Sequence, residues 1–576
     1  MMIKNIIGYI ALGVLLSVSI GCTDQLRLDE RQTTFDEKYF TYSRYQLTTA
    51  IVNVFKNYGR AAMNEPVGQA ALYFMDCYAS DRIALMYTTP EQNWNMEDTN
   101  PYTSELRTLA AIKKLATDEG NMATVAAADI LKSVVGAYLT EKYGDIPFSE
   151  AVDGREGNLF PKYDTQKEVY ERIFSLLDGA IATLSDPSSE GLPADHDVLF
   201  NGDKSKWIKF ANSLKFRLMV HSYEAFKREG KDLSSEMQAI ASGGNYMKEV
   251  NDNASLTFSG NNENEAWYLQ TKWGTPNDFT EQKPTKYLID LMVDLDDPRM
   301  YVIFAPVLSP VSAKSEETTE KVRINGFDYD ITYYPASQYE PSDLIATGRD
   351  LDGNEIDVPY ELDARWFGTP NPLSIQLLYA GAGLPGTNSH YDNRRITGFS
   401  KLIAEPADDR LRAVVMEASE MMFLLAEARQ KGWITTGDTK EFYENGIKRS
   451  FERWEIVDGT KPETHIGSEQ IVEDFKAYFA KDGVALDGSD ADLDKIAMQK
   501  WLSMVLTNQT EAWTEYLRTG KPAFIGKIAA SFSIYDYPWR FVYPLDEASN
   551  NKENYDAALS SLGGRDLPTS KMWIHK

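Results

Sequence analysis

Six residues form stretches in which aromatic rings stand beside amides, without an apolar helical stripe that would bury the rings. They are Asn93, Trp94, Trp267, Tyr268, Trp273 and Trp366. An aromatic ring stacks on the apolar face of a flat ligand, and an amide exchanges hydrogen bonds with hydroxyl groups. This combination suits a hydroxyl-rich ring such as a sugar, so these six residues are the predicted ligand contacts.

Catalytic chemistry has no comparable signal. The chain has 86 Asp and Glu residues, so a carboxylate pair for glycoside hydrolysis can be drawn from almost anywhere. It has five dispersed histidines and lacks the His-Glu-x-x-His, Gly-x-Ser-x-Gly and Gly-x-x-x-x-Gly-Lys motifs. We therefore expect no catalytic residue and no enzyme activity, with a glycoside hydrolase as the remote alternative.

The sequence also lacks a convincing cofactor or metal site. Gly381 to Gly386 matches the dinucleotide-binding fingerprint by letters, but the residues after it do not open an apolar helix. The acidic stretches 350–357 and 490–494 could hold calcium, and solvated turns are the expected structure for both. We expect no cofactor and no metal, while a structural calcium stays open.

The charge and the cysteine content argue against nucleic-acid-binding proteins, disulfide-stabilised scaffolds and multi-cysteine metal proteins. The chain has 59 Lys and Arg residues against 86 Asp and Glu residues, a formal net charge of -27. A nucleic-acid partner needs a basic face that neutralises phosphates, so the composition excludes it. The two cysteines, Cys22 and Cys77, are too few for a disulfide scaffold or a multi-cysteine metal site.

The first 21 residues have the pattern of a lipoprotein signal peptide. Lys4 precedes an almost wholly apolar run from Ile6 to Ile20, which has the length of a signal-peptide core. The run ends in Ser19-Ile20-Gly21-Cys22, which resembles a bacterial lipobox. We expect cleavage before Cys22 and acylation of that cysteine, which would hold the mature protein at a membrane. A signal peptide that merely contains a cysteine is the alternative, and no later segment is expected to span a membrane.

Helical periodicity dominates two blocks of the mature chain, residues 37–242 and 407–520. The clearest helix opens with a capping box at Thr165 to Glu168 and ends before Pro187. Further helices are predicted over 45–58, 123–143, 207–226, 285–295, 411–433, 439–454 and 495–517. The helix pair 411–454 turns tightly at Gly437-Asp438 and resembles a degenerate tetratricopeptide repeat.

Residues 243–406 have a different texture. They are rich in Gly, Asn, Asp, Pro and Thr, which predicts an irregular, loop-rich region with short β-hairpins such as one at Asp352-Gly353. Residues 521–576 form a C-terminal segment. The chain is therefore expected to be mainly α, with two helical blocks on either side of one irregular block.

Eight short segments stand in series across almost the whole mature chain. They are Cys22 to Asp24, Tyr143 to Ala151, Pro161 to Gln166, Trp207 to Lys215, Asp297 to Arg299, Phe423 to Trp433, Gln509 to Trp513, and Arg540 to Asn550. Together they resemble the SusD/RagB family of nutrient-binding outer-membrane lipoproteins of Bacteroidota. The helical spacing of Trp207, Phe210 and Leu214 is typical of core residues, and we expect Phe423, Leu424 and Trp433 to lie in the core as well.

The resemblance implies a single SusD-like domain over residues 22–576. In such a domain, tetratricopeptide-like helix pairs form a scaffold under a loop-rich, ligand-facing region. Members of the family sit at the cell surface over a SusC-like TonB-dependent transporter and capture oligosaccharides or, in the RagB-like branch, peptides. The resemblance therefore implies a lipid-anchored, non-catalytic protein that passes a glycan, or alternatively a peptide, to such a transporter.

Overall fold

The structure, a computed structural model, describes residues 42–63, 65–76, 81–96, 99–152, 154, 157–259, 282–370, 394–404, 408, 410–531 and 533–576. Long helices occupy both flanking blocks, and short strands are concentrated in the middle of the chain. This confirms the predicted mainly α fold. The predicted signal peptide and the predicted lipidation site at Cys22 lie outside the described residues.

The α-helices are numbered in chain order. They are α1 (Ser43–Ala61), α2 (Glu65–Ala70), α3 (Leu85–Thr88), α4 (Arg107–Glu119), α5 (Met122–Tyr143), α6 (Gln166–Ser185), α7 (Lys204–Arg228), α8 (Ser234–Gly243), α9 (Lys286–Asp294), α10 (Met300–Ile303), α11 (Ala418–Gln430), α12 (Thr439–Arg453), α13 (Phe475–Phe479), α14 (Asp492–Ser503), α15 (Gln509–Thr519), α16 (Phe524–Ser531), α17 (Glu547–Asn550) and α18 (Lys552–Ser561). A π-helical turn, Tyr102–Leu106, leads into α4.

Side-chain caps determine where the long helices begin. The hydroxyl of Thr165 accepts a hydrogen bond from the Glu168 N–H, and the Glu168 carboxylate accepts one from the Thr165 N–H at 2.8 Å. The predicted capping box is therefore present at the start of α6. Asp203 and Asp438 cap α7 and α12 by accepting bonds from N–H groups that have no partner within the helix.

Helices that are neighbours in the sequence pack against one another. Helix α5 contacts α4, α6 and α7, and α11 contacts α12 and α14. Their apolar side chains join those of α1 and the C-terminal segment in one large core. The residues predicted to lie in this core are at most 6% exposed: Trp207, Phe210, Leu214, Phe423, Leu424 and Trp433.

Five of these helices also meet around a cluster of buried charged side chains, here called the His221 network. Its members are Glu141 on α5, Arg217 and His221 on α7, Glu420 and Glu427 on α11, Lys431 just after α11, Lys500 on α14, and Glu511, Glu515 and Arg518 on α15. With His221 protonated, five carboxylates face five cationic groups. An unpaired buried charge costs several kcal/mol, so this balance is what allows the helices to pack closely.

His221 lies at the centre of the network. Its Nδ1 is 2.7 Å from Glu141 Oε1, and its Nε2 is 2.9 Å from Glu511 Oε1 and 3.0 Å from Glu515 Oε1. Burial acts to lower the pKa of His221, but the Glu511 and Glu141 carboxylates outweigh burial and raise that pKa well above its usual value. The imidazolium therefore donates from both nitrogens and connects α5, α7 and α15.

Two arginines connect α11 to this centre. Arg217 donates to both carboxylate oxygens of Glu420 and to the carbonyl oxygen of Val415, the last at 2.9 Å. Arg518 donates to both oxygens of Glu427, at 2.7 and 2.6 Å. Paired arginine–carboxylate bonds are directional, so they constrain how each helix is rotated about its axis.

The strands are short. They are β1 (Phe74–Asp76), β2 (Ala254–Leu256), β3 (Gln282–Pro284), β4 (Phe304–Ala305), β5 (Val311–Ser312), β6 (Thr318–Ile324), β7 (Phe327–Pro335), β8 (Ile345–Arg349), β9 (Glu355–Pro359), β10 (Gly398–Phe399), β11 (Ala413–Met416), β12 (Val457–Asp458) and β13 (Val472–Glu473). They form two-stranded pairs and one three-stranded sheet in the order β5-β7-β6.

Two hairpins give the central region its regular structure. Strands β6 and β7 turn at Asn325-Gly326, where φ is 50° and 81°, as a type I′ hairpin turn requires. Strands β8 and β9 pair from Ile345 with Pro359 to Arg349 with Glu355. The second hairpin encloses Asp352-Gly353, so the hairpin predicted there is confirmed.

Two predicted helices differ from the structure. The helix predicted over 411–433 is wrong at its start, because Ala413–Met416 is the buried strand β11, paired with β2. A short apolar run does not distinguish a buried strand from a buried helix. The helix predicted over 495–517 is two helices, α14 and α15. Leu506 between them has a φ of 58°, and the Gln509 N–H donates to the carbonyl oxygen of Ala62, outside the helix.

Helix α5 corrects a further expectation. By length and composition it could cross a membrane, so the expectation that no later segment could span is wrong on those criteria. In the structure, 83% of the most apolar 18-residue stretch of this helix is buried inside the protein. Helix α5 is therefore a core helix of this fold.

A pair of helical glycines tests the packing of α5. A Cβ on Gly136 would lie 2.5 Å from the Phe148 ring, whereas a Cβ on Gly179 in α6 would meet nothing within 4 Å. We expect Gly136→Ala to lower the free energy of unfolding by about 1–3 kcal/mol through overpacking. Gly179→Ala should raise it by about 0.5–1 kcal/mol through its higher helix propensity. Urea denaturation of residues 23–576 measures both, and equal effects would contradict the close α5–Phe148 contact.

The His221 network predicts a pH dependence of stability. A histidine whose pKa is raised by folding stabilises fully below its unfolded pKa of about 6.5 and loses that contribution as the pH rises through the folded value. The free energy of unfolding should therefore fall between pH 7 and pH 9, by up to about 1.4 kcal/mol per pH unit. His221→Gln should be less stable at pH 7 and should lack this slope.

The chosen pH range separates His221 from a neighbour. Burial raises the pKa of Glu420 to about 7. The titration of Glu420 therefore changes the free energy of unfolding mainly below pH 7. Urea denaturation at pH 7, 8 and 9 gives the slopes of both proteins. Identical slopes for wild type and His221→Gln would show that His221 is not protonated in the fold.

Candidate ligand-binding site

Trp94 lies in a cluster of aromatic rings rather than on the open surface. Trp94 is only 5% exposed. The indole makes edge contacts with Tyr102, Tyr143 and Tyr543, at ring-centroid distances of 5.4, 5.0 and 6.0 Å, and a tilted contact with Tyr163 at 5.8 Å. These five rings are here called the Trp94 cluster.

The cluster is assembled from separate parts of the chain. Tyr102 begins the π-helical turn before α4, and Tyr143 is the last residue of α5. Tyr163 comes just before the capping box of α6, and Tyr543 belongs to the C-terminal segment. The ends of α5 and α6 therefore present their aromatic residues to the C-terminal segment.

Glu547 holds the cluster together through hydrogen bonds. Its Oε1 accepts from the Trp94 indole N–H at 2.9 Å, and its Oε2 accepts from the Tyr163 hydroxyl at 2.6 Å. Burial, together with the nearby Glu547 carboxylate, raises the pKa of Tyr163 far above its usual value. The Tyr163 hydroxyl therefore stays protonated and acts as a donor.

Arg540 connects the cluster to the end of α5. Its Nε and Nη2 donate to the carbonyl oxygen of Tyr143 at 3.1 and 2.9 Å, and its guanidinium lies 4.5 Å from the Tyr543 ring centroid. Asp566 accepts from Arg540 and, at 2.9 Å, from the Tyr543 N–H. The rings are thus held by directional bonds as well as by packing.

Exposed residues stand within a few positions of the cluster residues Trp94, Tyr163 and Tyr543 in the chain. These exposed residues, here called the ligand rim, are Gln92, Asn93, Leu159, Phe160 and Leu545. Its apolar members are far more exposed than bulky apolar residues usually are: Leu159 is 70%, Phe160 63% and Leu545 52% exposed. Exposed apolar groups beside two exposed amides can cover the C–H faces of a ligand and bind its hydroxyls.

Backbone contacts bring the parts of the rim together. The N–H groups of Leu545 and Asp546 donate to the carbonyl oxygens of Glu91 and Gln92, at 2.9 and 3.1 Å. The side-chain amide of Asn554 donates to the carbonyl oxygen of Phe160 at 3.0 Å. Segments 91–93, 159–161 and 545–554 therefore form one surface.

The other predicted contacts are placed differently. Trp366 is half-buried and makes an edge contact with Tyr301 at 5.6 Å, and Tyr301 in turn lies 4.5 Å from the His465 ring. Among the described residues, Trp366 and Trp94 share no aromatic neighbour. The predicted contacts Trp267, Tyr268 and Trp273 lie outside the described residues, so ligand contact by all of these residues stays a prediction.

The apolar members of the rim were not foreseen from the sequence. Leu159 and Phe160 precede Pro161 in the connection 144–165 between α5 and α6, outside any helical stripe. Two adjacent bulky apolar residues in such a position were the available signal. Leu545 carries no comparable signal, because its exposure depends on how the C-terminal segment docks.

Within the described ranges, one group of His and Glu side chains has the spacing of a metal site. Glu141, His221 and Glu511 lie close enough to hold a metal by distance alone. However, Glu141 contacts Nδ1 of the His221 ring and Glu511 contacts Nε2, on the opposite side. A single metal ion can bind only one of these two nitrogens. Lys500 Nζ also lies 3.9 Å from Glu511. The geometry is that of an ion pair, and we assign no metal role to it.

The stretch 350–357 contains the expected turn at its start, before strand β9. The solvated turn expected at 490–494 is wrong, because Asp492 begins helix α14 and is only 1% exposed. Asp350 accepts hydrogen bonds from the N–H groups of Asp352 and Asn354, both at 2.9 Å. Asp492 accepts from the N–H groups of Asp487 and Gly488, at 3.0 and 2.8 Å. In each stretch one carboxylate is already engaged in stabilising the local backbone.

Comparison with protein families gives two matches that follow one another along the chain. A family described as "Starch-binding associating with outer membrane" matches residues 36–357, and one described as "Susd and RagB outer membrane lipoprotein" matches residues 381–575. Comparison with curated proteins gives no significant match.

Solved structures share the fold over nearly the whole chain. Two SusD homologues from Bacteroides fragilis are 21% and 19% identical, with TM-scores of 0.70 and 0.67; each alignment covers 93% of this chain, and 100% and 99% of the homologue. A chitin-binding protein is 21% identical, with a TM-score of 0.64 and coverage of 93% and 100%. At these identities the likeness establishes the fold.

Fold and family matches together define a helical binding protein of the outer membrane. The chain belongs to the SusD-like family, whose members are nutrient-binding outer-membrane proteins. The resemblance found in the sequence is thereby confirmed. The family consists of binding proteins rather than typical enzymes.

The Trp94 cluster predicts a large structural role for Trp94. Trp94→Ala should lower the free energy of unfolding by about 3–5 kcal/mol, because it removes a buried ring and leaves Glu547 without one of its donors. The exposed neighbour Asn93 is the matched control, and Asn93→Ala should change stability by no more than about 0.5 kcal/mol. Urea denaturation compares the two, and a small effect of Trp94→Ala would contradict the buried position of the ring.

Proposed function

We propose that this protein is a cell-surface lipoprotein that captures an oligosaccharide and passes it to a SusC-like TonB-dependent transporter. Acyl chains on Cys22 would hold it at the outer membrane. The observation that carries the proposal is the ligand rim, an exposed apolar and amide surface built on a rigid aromatic cluster, in a chain that belongs to the SusD-like family.

The chemistry of the rim suits a saccharide. Sugar rings present apolar C–H faces and a dense set of hydroxyls. Phe160 and the two leucines offer apolar surface for the faces, and Asn93 with Gln92 offers donors and acceptors for the hydroxyls. The family description that refers to starch and the chitin-binding structural neighbour support a carbohydrate ligand.

Hydrogen bonds in the Trp94 cluster and at Phe160 hold the segments that carry the ligand rim. Hydrogen bonds from Trp94 and Tyr163 to Glu547 fix the aromatic cluster, and the Asn554 amide fixes the backbone at Phe160. A surface that is already ordered loses little conformational entropy on binding. Trp94 would then act mainly as a positioning residue, and Asn93 and Phe160 would touch the ligand.

Further contacts come from the predicted aromatic residues. We include Trp366, Trp267, Tyr268 and Trp273 in the proposal as ligand contacts, on the strength of their rings and polar neighbours in the sequence. The mechanism is capture without catalysis. Stacking and hydrogen bonds hold the ligand, and the energy for import is supplied elsewhere.

Calorimetric titration of residues 23–576 against a panel of oligosaccharides and mixed peptides tests the proposal. We expect at least one oligosaccharide to bind, and Phe160→Ala and Asn93→Ala each to weaken its binding by about tenfold, the effect of losing roughly 1.4 kcal/mol. Trp267→Ala, measured in parallel, tests the contacts predicted outside the described residues.

Val198→Ala is the control for Phe160→Ala. Val198 is 45% exposed and lies in the connection before α7, so its truncation should leave binding unchanged. Peptide binding without saccharide binding would reassign the protein to the RagB-like, peptide-binding alternative. Hydrolysis of a bound oligosaccharide would contradict capture without catalysis, and saccharide binding that survives both rim substitutions would place the site elsewhere.

A further inference from the structure

A second concave site lies on the C-terminal part of the chain. A cavity of about 640 Å³ opens between the end of α7, helices α15 and α16, the segment 537–539 and residues 571–576. Cavities of this size hold small organic ligands. Among the described residues that line it, none belongs to the Trp94 cluster or the ligand rim, so it is a separate site.

Two residues in the cavity wall carry buried polar atoms that lack a hydrogen-bond partner within the described chain. They are Arg518, through its Nε, and His575, through both ring nitrogens. Buried polar atoms in folded proteins are nearly always paired. An unpaired donor and an unpaired ring in one wall therefore indicate a site for a hydrogen-bonding ligand.

His575 can both donate and accept. Burial lowers the pKa of His575 to about 3, and the positive charges of His221, Lys571 and Arg518 act in the same direction. The imidazole is therefore neutral near pH 7, with one N–H donor and one acceptor nitrogen. A hydroxyl group, which is itself donor and acceptor, is the complementary ligand group.

Positive charge is concentrated around the same cavity. Arg228, Lys571 and Lys576 line it. Arg228 already donates to the main-chain oxygens of Lys576 and Trp573, at 2.6 and 2.8 Å, and Lys576 Nζ donates to the carbonyl oxygen of Ser561 at 2.8 Å. Within the described part of the chain, Lys571 is the lining cation whose ammonium has neither a hydrogen bond nor an ion pair. The only acid in the described lining is Glu224. In a chain of net charge -27, such a local excess of positive charge favours an anionic ligand.

Aromatic rings complete the wall. Trp539, Tyr516 and Tyr537 line the cavity and are half-buried, so each still presents part of its ring. The Lys571 ammonium lies 4.1 Å from the centroid of the Trp539 ring. A flat ring and a cation side by side fit a ligand that has an apolar ring face and an attached anionic group.

We propose that this cavity is a second saccharide site, which binds a sugar unit carrying a carboxylate, as a uronate does. Lys571 would bind the carboxylate, His575 and Arg518 the hydroxyls, and Trp539 the ring face. The inference rests on the proposed function in that the protein meets saccharides at the cell surface, but it uses residues apart from the ligand rim.

Ligand-observed NMR titration of residues 23–576 with glucuronate, glucose and sulfate tests the site. We expect glucuronate to bind at least about tenfold more tightly than glucose or sulfate, because it alone offers both the carboxylate and the hydroxyls. Lys571→Glu should weaken glucuronate binding by more than about tenfold, and His575→Leu should weaken it while leaving the weak binding of sulfate unchanged.

A charge-matched control and a crossed comparison make the outcome decisive. Lys552→Glu places the same charge change on an exposed lysine of α18 and should leave glucuronate binding intact. Phe160→Ala should also leave it intact, so failure of the ligand rim and failure of this cavity are distinguishable. Equal affinity for glucuronate and sulfate, equal affinity for glucuronate and glucose, or unchanged binding in Lys571→Glu would each overturn the proposal. Retained thermal stability of His575→Leu separates loss of the site from loss of the fold.

Discussion

The packing of this fold depends on charge neutrality inside the helical core. Helices α5, α7, α11, α14 and α15 bring ten ionisable groups together around His221. Apolar burial draws helices together without specifying their rotation, whereas a bidentate bond such as that from Arg518 to Glu427 is satisfied at one rotation. The network therefore adds a directional constraint to a core that is otherwise held by non-directional forces.

The surface features follow from that arrangement. The end of α5 places Tyr143 against the C-terminal segment, and the adjacent Lys142 ammonium lies 4.5 Å from the Phe541 ring. The segment in turn covers Trp94 and carries Leu545 and Glu547 into position. Its final residues continue past the network and close the cavity beside Arg518. The C-terminal segment thus packs beside the His221 network and contributes both to the ligand rim and to the cavity wall.

Local patterns were readable from the sequence, and long-range contacts were not. The capping box at Thr165 and the core positions of Trp207 and Phe423 depend on neighbours within a few residues, and they were predicted. The strand at Ala413–Met416 was missed because its apolar run fits either secondary structure. The burial of Trp94 could not be foreseen, since its partner Glu547 is 453 positions away.

That same separation has a consequence for biogenesis. The bond between Trp94 and Glu547 joins residues 453 positions apart, and Arg540 and Asp566 add to it from the last forty residues. A chain that is still being synthesised, or one shortened by a premature stop codon, lacks Tyr543 and Glu547 and cannot complete the Trp94 cluster. The Trp94 cluster is therefore complete only after the C-terminal segment has been synthesised and has docked.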